Sequence, residues 1–185
     1  NVHLTVSGQL HVEPFALTYG KVYTFGPTFR AEKSNTTRHA AEFWRIEPEI
    51  AWAHLADLCD IEEDFLKYVV SHTVEECKRD RKFLYQFVDK DLEKRLDDFV
   101  KKPFVRVKYE EAIQILQDAV KKGVKFEVSD IKFGLDLGSE HERYLTEKVF
   151  KGPIFLTDYP KEIKAFYRKQ NDDNKTVGAA DLLVP

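Results

Sequence analysis

The stretch from Val22 to Ile50 leaves this chain few ways to fold. Its two ends, Val22 to Glu32 and Glu42 to Ile50, are rich in β-branched and aromatic residues, and a loop of Lys, Ser, Asn and Thr separates them. Two such runs around a polar loop predict an antiparallel hairpin. Side chains alternate across a strand, so residues an even number apart share a face. Arg30 and Glu32 then point one way, and His39, Phe43, Glu47 and Glu49 share a face if the second strand begins early. A guanidinium, an aromatic ring and carboxylates are poor material for a core. Such a face is either bathed in solvent or shaped for a phosphate, a planar base and a small amine, and the regular spacing of His39, Phe43 and Glu47 favours the second.

The ordered set Phe29, Arg30, Glu32, His39, Phe43 and Glu47 resembles the second signature of class II aminoacyl-tRNA synthetases. That signature is a Phe-Arg-x-Glu, a loop, a His or Arg, three residues, Phe, three residues and an acid. The stretches Leu4 to Glu13, Leu137 to Leu145 and Tyr159 to Tyr167 are similar to the asparaginyl branch of the aspartyl and asparaginyl synthetases, so the resemblance spans nearly the whole chain. It implies an α+β fold, with an antiparallel β-sheet carrying the site and helices flanking it. It also implies activation of asparagine with ATP and its transfer to asparagine tRNA. The cofactors would be ATP and magnesium, the latter with its main ligands outside these residues, and the parent would be a homodimer.

The chemistry behind those roles is specific. Amino-acid activation brings a carboxylate to the α-phosphate of ATP, and two anions approaching one another need a guanidinium fork. Arg30 matches the residue that does this, stabilising charge that grows on phosphorus. Glu32 matches an acid that fixes the nucleotide, Arg38 and His39 match residues on the outer phosphates of a bent ATP, and Phe43 matches the platform for adenine. Taken singly, His39 is equally a surface loop histidine and Phe43 a core ring.

For substrate choice, aspartyl enzymes typically show Ser-Pro-Gln-Leu-x-Lys-Gln, whose Lys pairs with the side-chain carboxylate of aspartate. The corresponding run is Ser7, Gly8, Gln9, Leu10, His11, Val12 and Glu13, which puts Val12 at the Lys position. A desolvated carboxylate without that cation is penalised far more than a neutral amide, so asparagine is favoured. Ser7 and Gln9 border the amino acid in this reading, and Glu47 or Glu49 meets its ammonium or amide NH2. Without the resemblance, Gln9 and Val12 fit an ordinary strand with alternating faces.

The chain has 185 residues, 43% hydrophobic and 13% aromatic, enough for one substantial core and read as part of a single catalytic domain. A net charge of -3 argues against a generally basic coat for nucleic acid, leaving Lys101, Lys102, Arg106 and Lys108 as a local patch for tRNA or a solvated surface. Cys59 and Cys77 lie too far apart for a CxxC motif and read as reduced thiols of a cytoplasmic protein, with no metal site built from them. No apolar run reaches the length of a membrane span and no signal peptide is read. Adjacent residues on a helix diverge by about a hundred degrees, so Glu140, His141 and Glu142 read as a helix start rather than a metal site.

Helical spacing predicts a helical insertion over about 55–125. It holds helices at Asp57 to Glu76, Phe83 to Val88, Asp91 to Phe99 and Tyr109 to Lys121, the last stopped at Gly123, with a short strand at Val105 to Val107. Beyond it come a helix at Glu140 to Phe150, strands at Pro153 to Thr157, Ala165 to Arg168 and Thr176 to Val184, and a turn at Asp172 to Asn174. Family members usually read Phe-Tyr-Met where Phe166, Tyr167 and Arg168 stand, and the chain has no methionine. Against the family pattern, the anticodon-binding β-barrel, the first signature and the final Arg-bearing motif are expected to lie outside the chain, leaving it unable to adenylate alone. The rivals to the asparaginyl reading are an aspartyl enzyme, an amide-forming paralogue that uses no tRNA, and a scaffold that has lost catalysis. Val12 opposes the first, the length of the parent decides the second, and the intact Arg30, Glu32, His39 and Phe43 oppose the third.

Overall fold

The computed structural model describes residues 2–31 and 39–185, which form two compact units, 1–54 and 55–185. In the first, helix α1 (Gln9–Tyr19) is followed by strands β1 (Lys21–Phe29) and β2 (Glu42–Ile50). The strands pair antiparallel with Thr24 opposite Glu47, Gly26 opposite Arg45 and Thr28 opposite Phe43. Burial alternates along both strands, as the period of two demands. One face carries Val22, Thr24, Gly26, Thr28, Phe43, Arg45, Glu47 and Glu49; the other exposes Tyr23, Phe25, Trp44 and Ile46.

Helix α1 replaces the strand that Gln9 and Val12 would otherwise suit. Gly8 starts it, accepting from the His11 and Val12 amides. A Cβ at Gly8 would stand 2.6 Å from Thr24 Oγ1, so only glycine lets the turn come this close to β1. The Glu47 carboxylate then ties turn to strand, accepting from Ser7 Oγ at 2.7 Å and the Gly8 amide at 2.9 Å.

The second unit starts with helices α2 (Leu55–Glu76), α3 (Lys78–Phe87) and α4 (Leu92–Lys101). Strand β3 (Val105–Lys108) leads straight into helix α5 (Tyr109–Lys121), which ends as Gly123 takes a φ of 91°. Helix α6 (Ser139–Arg143) runs on into a π-helical turn over Tyr144–Val149, and strands β4 (Ile154–Pro160) and β5 (Thr176–Leu183) follow. In the sheet, β3 is parallel to β4 and β5 antiparallel to it. The α+β class stands, but this sheet is mixed rather than antiparallel, because α5 and α6 supply the long crossover that a parallel pair requires.

Strand β4 is buried on both faces. Ile154 and Leu156 pack with Val107, Leu145 and the Tyr109, Ala112, Ile113 and Leu116 face of α5. Phe155 points the other way, against Phe104 and Cys59. A strand covered on both sides needs an apolar run without alternation, and Ile154 to Leu156 supply it.

Ala165 to Arg168 form a turn, not a strand: the Arg168 amide donates to Ala165 O, and Phe166 is 96% exposed, so its aromatic composition reflects no burial. Lys101 pairs with Asp97, Lys102 with Asp98 and Arg106 with Asp60, so three cations of the basic patch are already matched by acids. Among the described residues no helix is long and apolar enough to cross a membrane.

Two outcomes are expected. Phe155→Ala, at a site with no exposed surface, lowers unfolding free energy in urea titrations by about 3–5 kcal/mol, the usual cost of emptying a core aromatic. Against the effect of burial, hydrogen bonds from the Gly8 amide, Ser7 and Thr24, with the Arg45 charge, bring the folded Glu47 carboxyl below the ordinary value, so its stabilisation is fully present above about pH 4.3 and is lost as pH falls through the folded value. Thermal melts between pH 7 and 3 should therefore show a steeper acid loss for the native chain than for Glu47→Gln.

Candidate functional site

The inward face of the β1–β2 hairpin carries most of the residues singled out in the sequence. Arg30 lies just past β1, where its amide donates to Ala41 O and extends the pairing by one step. Its guanidinium carbon sits 5.6 Å from the Phe43 ring centroid, a cation over an aromatic face. Phe43, Arg45, Glu47 and Glu49 follow at every second position of β2. His39 precedes β2, which begins only at Glu42, so it does not join this row as an early strand start would require. Glu32 and Arg38 lie outside the described residues.

Glu47 is the most constrained of these groups. It is 8% exposed, accepts hydrogen bonds from Ser7 Oγ, the Gly8 amide and, at 3.3 Å, Thr24 Oγ1, and forms an ion pair with Arg45 Nη1 at 3.1 Å. Burial works to raise its carboxyl, but the Gly8 amide, Ser7, Arg45 and Thr24 together bring it below the usual glutamate range. It is a fixed anion at neutral pH.

Glu49 behaves differently. Burial, Glu13 and Glu47 all push its carboxyl up, against Arg45. It lines a cavity of about 400 Å³ with Leu10, Glu13, Ala16 and Leu17 of α1, an environment dominated by apolar side chains. The two glutamates thus face different surroundings, and Glu47 is the one joined to Ser7.

Ser7 Oγ donates to Glu47 and accepts from the Gln9 amide, which links the residue before α1 to its first turn. Gln9 also donates through Nε2 to Glu13 Oε1 at 2.8 Å. Val12 is half-buried one turn along α1.

Two features escaped the sequence reading. Arg45 shares the face of Phe43 and Glu47 by the same strand alternation and is charged, yet the signature pattern has no position for it. Gly26, directly opposite Arg45, leaves no atom within 4 Å of where a Cβ would stand, so the sheet is open to a ligand there. The Ser139 to Arg143 cluster lies in the second unit and serves structure. Glu140 accepts from the Glu127 and Val128 amides, while His141 accepts from the Gly138 amide through Nδ1 and bonds Val128 O through Nε2. Among the described residues no three His, Cys, Asp or Glu side chains come together as metal ligands.

Comparison with known proteins places this face in context. The chain is 59% identical over 183 residues to an asparagine–tRNA ligase of Clostridium beijerinckii, covering 99% of this chain and 39% of that protein. It is 58% identical over 182 residues to the asparagine–tRNA ligase of Mycoplasma mycoides, covering 98% of this chain and 40% of the relative. The crystal structure of asparaginyl-tRNA synthetase from Pyrococcus horikoshii complexed with asparaginyl-adenylate superposes with a TM-score of 0.82 at 41% identity, over 98% of this chain and 38% of that one. The chain therefore spans about two fifths of the length of these proteins. The profile of the tRNA synthetases class II (D, K and N) matches residues 1–185 from end to end, and the chain belongs to that family.

Proposed function

We propose that the protein of which this chain is part is an asparagine–tRNA ligase, and that the inward face of the hairpin activates asparagine with ATP. The observation that carries this is the row on one face: Arg30 over Phe43, then Arg45, Glu47 and Glu49, with Ser7 and Gln9 fastened beside Glu47. The likeness to asparagine–tRNA ligases of about 57–59% identity supports the choice of amino acid. In this reading tRNA is the second substrate, Arg38 and Glu32 serve the nucleotide, and the parent is a homodimer.

The reaction joins an asparagine carboxylate oxygen to the α-phosphorus of ATP while the bond to the bridging oxygen breaks and pyrophosphate leaves. No proton need move. What the protein supplies is placement and charge. Phe43 offers a flat surface to adenine, and Arg30, already over that ring, reaches the α-phosphate and the incoming carboxylate with one fork. His39 stands before β2, on the side where the outer phosphates would lie. Glu47, held ionised, accepts from the asparagine amide NH2, and Val12 offers no cation to an aspartate carboxylate. Glu49, raised by burial and neighbouring acids, is the less suited of the two to anchor a cation. Magnesium carried on the ATP phosphates would screen their charge, and no step here is assigned to it.

In the full-length parent, Arg30→Ala is expected to lower kcat/KM for asparagine-dependent exchange of pyrophosphate into ATP by about 100-fold or more, and Arg30→Lys to recover little of it, because one ammonium cannot span both anions. Aspartate as efficient as asparagine in that assay would defeat the Val12 argument. Gly26→Val separates site from scaffold: the position has free space, so thermal stability should hold, while exchange falls on the order of tenfold or more if the adenylate lies over it.

A further inference from the structure

The Glu47 carboxylate has two oxygens with about four lone-pair positions between them; hydrogen bonds from Ser7, Gly8 and Thr24 take three of them, and the Arg45 guanidinium stands as an ion-pair partner 3.1 Å from Oε1, where the fourth lies. Ser7 Oγ and Arg45 share Oε1, while the Gly8 amide and Thr24 Oγ1 share Oε2. A substrate amide that takes this remaining position on Oε1 must displace the guanidinium standing against it. The Gly8 amide belongs to the turn that opens α1, Ser7 Oγ also receives the Gln9 amide, and Thr24 is wedged against Gly8. Arg45 alone is a long, flexible side chain, 40% exposed, whose departure disturbs no other recorded contact.

We propose, building on the function above, that Arg45 is an exchangeable partner of Glu47: its guanidinium holds the place of the asparagine amide and, once displaced, turns to the α-phosphate as a second fork beside Arg30. The layout of the face allows this. Phe43 and Arg45 are one strand repeat apart, about 7 Å, which an arginine side chain can span. Arg30 lies over the Phe43 ring, and Arg45 follows Phe43 on the same face of β2, so both cations belong to one face of the hairpin. Gly26, opposite Arg45, leaves the sheet bare where the phosphate would rest.

The charge balance is favourable at each stage. With no ligand, Arg45 neutralises Glu47 and neither charge is left alone in a partly desolvated site. The asparagine amide then supplies N–H donors to Glu47 without a charge, and the guanidinium moves to a phosphate whose negative charge grows as the new P–O bond forms and the bond to pyrophosphate breaks. An interaction stronger in the transition state than in the resting site raises kcat rather than lowering KM. Arg45 exchanges no proton and remains a cation throughout.

The test uses the full-length parent with Arg45→Met, which removes the charge and keeps most of the stem, and Arg45→Lys. For Arg45→Met, kcat of asparagine-dependent pyrophosphate exchange should fall tenfold or more, the usual worth of a charge-assisted bond, while KM for asparagine stays level or falls. Calorimetry should show a crossed pattern in the same variant: asparagine alone binds as tightly or a few-fold tighter, and a non-hydrolysable asparaginol-adenylate binds at least tenfold weaker. Arg45→Lys should restore part of the adenylate affinity. If both ligands weaken together, Arg45 merely supports Glu47, and if neither changes it has no part in the reaction; either result overturns the proposal. A wild-type parent without asparagine-dependent exchange would overturn the proposed function and this inference with it, whereas normal wild-type exchange with an unaltered Arg45→Met variant overturns this inference alone.

Discussion

One carboxylate governs the first unit. Glu47 receives a serine hydroxyl, a backbone amide and a threonine hydroxyl and pairs with a guanidinium, and these groups come from three parts of the chain: the turn at Ser7 and Gly8, β1 and β2. The Gly8 amide sits at the start of α1, where backbone N–H groups lack intrahelical partners and favour a negative charge. Thr24 lies opposite Glu47 across the β1–β2 pair, so the bond also marks the register. A slip of one residue would send the carboxylate to the outer face and strand those donors. Helix position, strand register and the chemistry of the face thus hang on the same group, and its desolvation is tolerable because three hydrogen bonds and the Arg45 cation offset it.

The second unit is held by different physics. Its sheet is narrow, yet β4 is covered on both sides: aliphatic side chains and α5 on one, a ring cluster of Phe99, Phe104 and Phe155 with Cys59 on the other. Polar bonds act at its edges, where Tyr109 Oη donates to Leu135 O and Glu140 and His141 fasten the segment before α6. Such groups fix loops in one arrangement without supplying most of the stability, which comes from area removed from water.

Much of this was legible in the sequence where a period and its punctuation agreed. Helix α5 came out with its observed bounds because apolar residues recur at helical spacing and Gly123 stops it, and the hairpin appeared because two β-rich runs flank a polar loop. Three features of the structure lay outside or against the sequence reading for physical reasons. Segment 9–19 contains a proline and several β-branched or aromatic residues, and it is helical because the Gly8 turn and Glu47 fasten its first turn, a tertiary effect that propensity cannot register. Ala165 to Arg168 carries the aromatic residues of a strand but has no partner to pair with, and it turns. The mixed sheet followed from a crossover whose strands lie far apart in sequence. Within the candidate site, the structure brings Arg30, Phe43 and Glu47 to one face as the strand alternation expects, whereas Arg45, which the same alternation puts there, was passed over because the family signature has no place for it.

Arg45 also changes how the absence of a lysine at Val12 should be understood. A lysine there would give the family's aspartyl pocket a cation for a side-chain carboxylate. In this chain the nearby cation is attached to β2 instead, and it is already bound to Glu47. In the proposed exchange, a neutral incoming side chain adds no second anion beside Glu47, while a carboxylate would meet the ionised Glu47 at hydrogen-bond distance just as Arg45 is displaced. Like charges that close together are strongly disfavoured in a partly buried site. Under the proposed function, preference for an amide over an acid would rest on where the positive charge is anchored as much as on Val12 of α1.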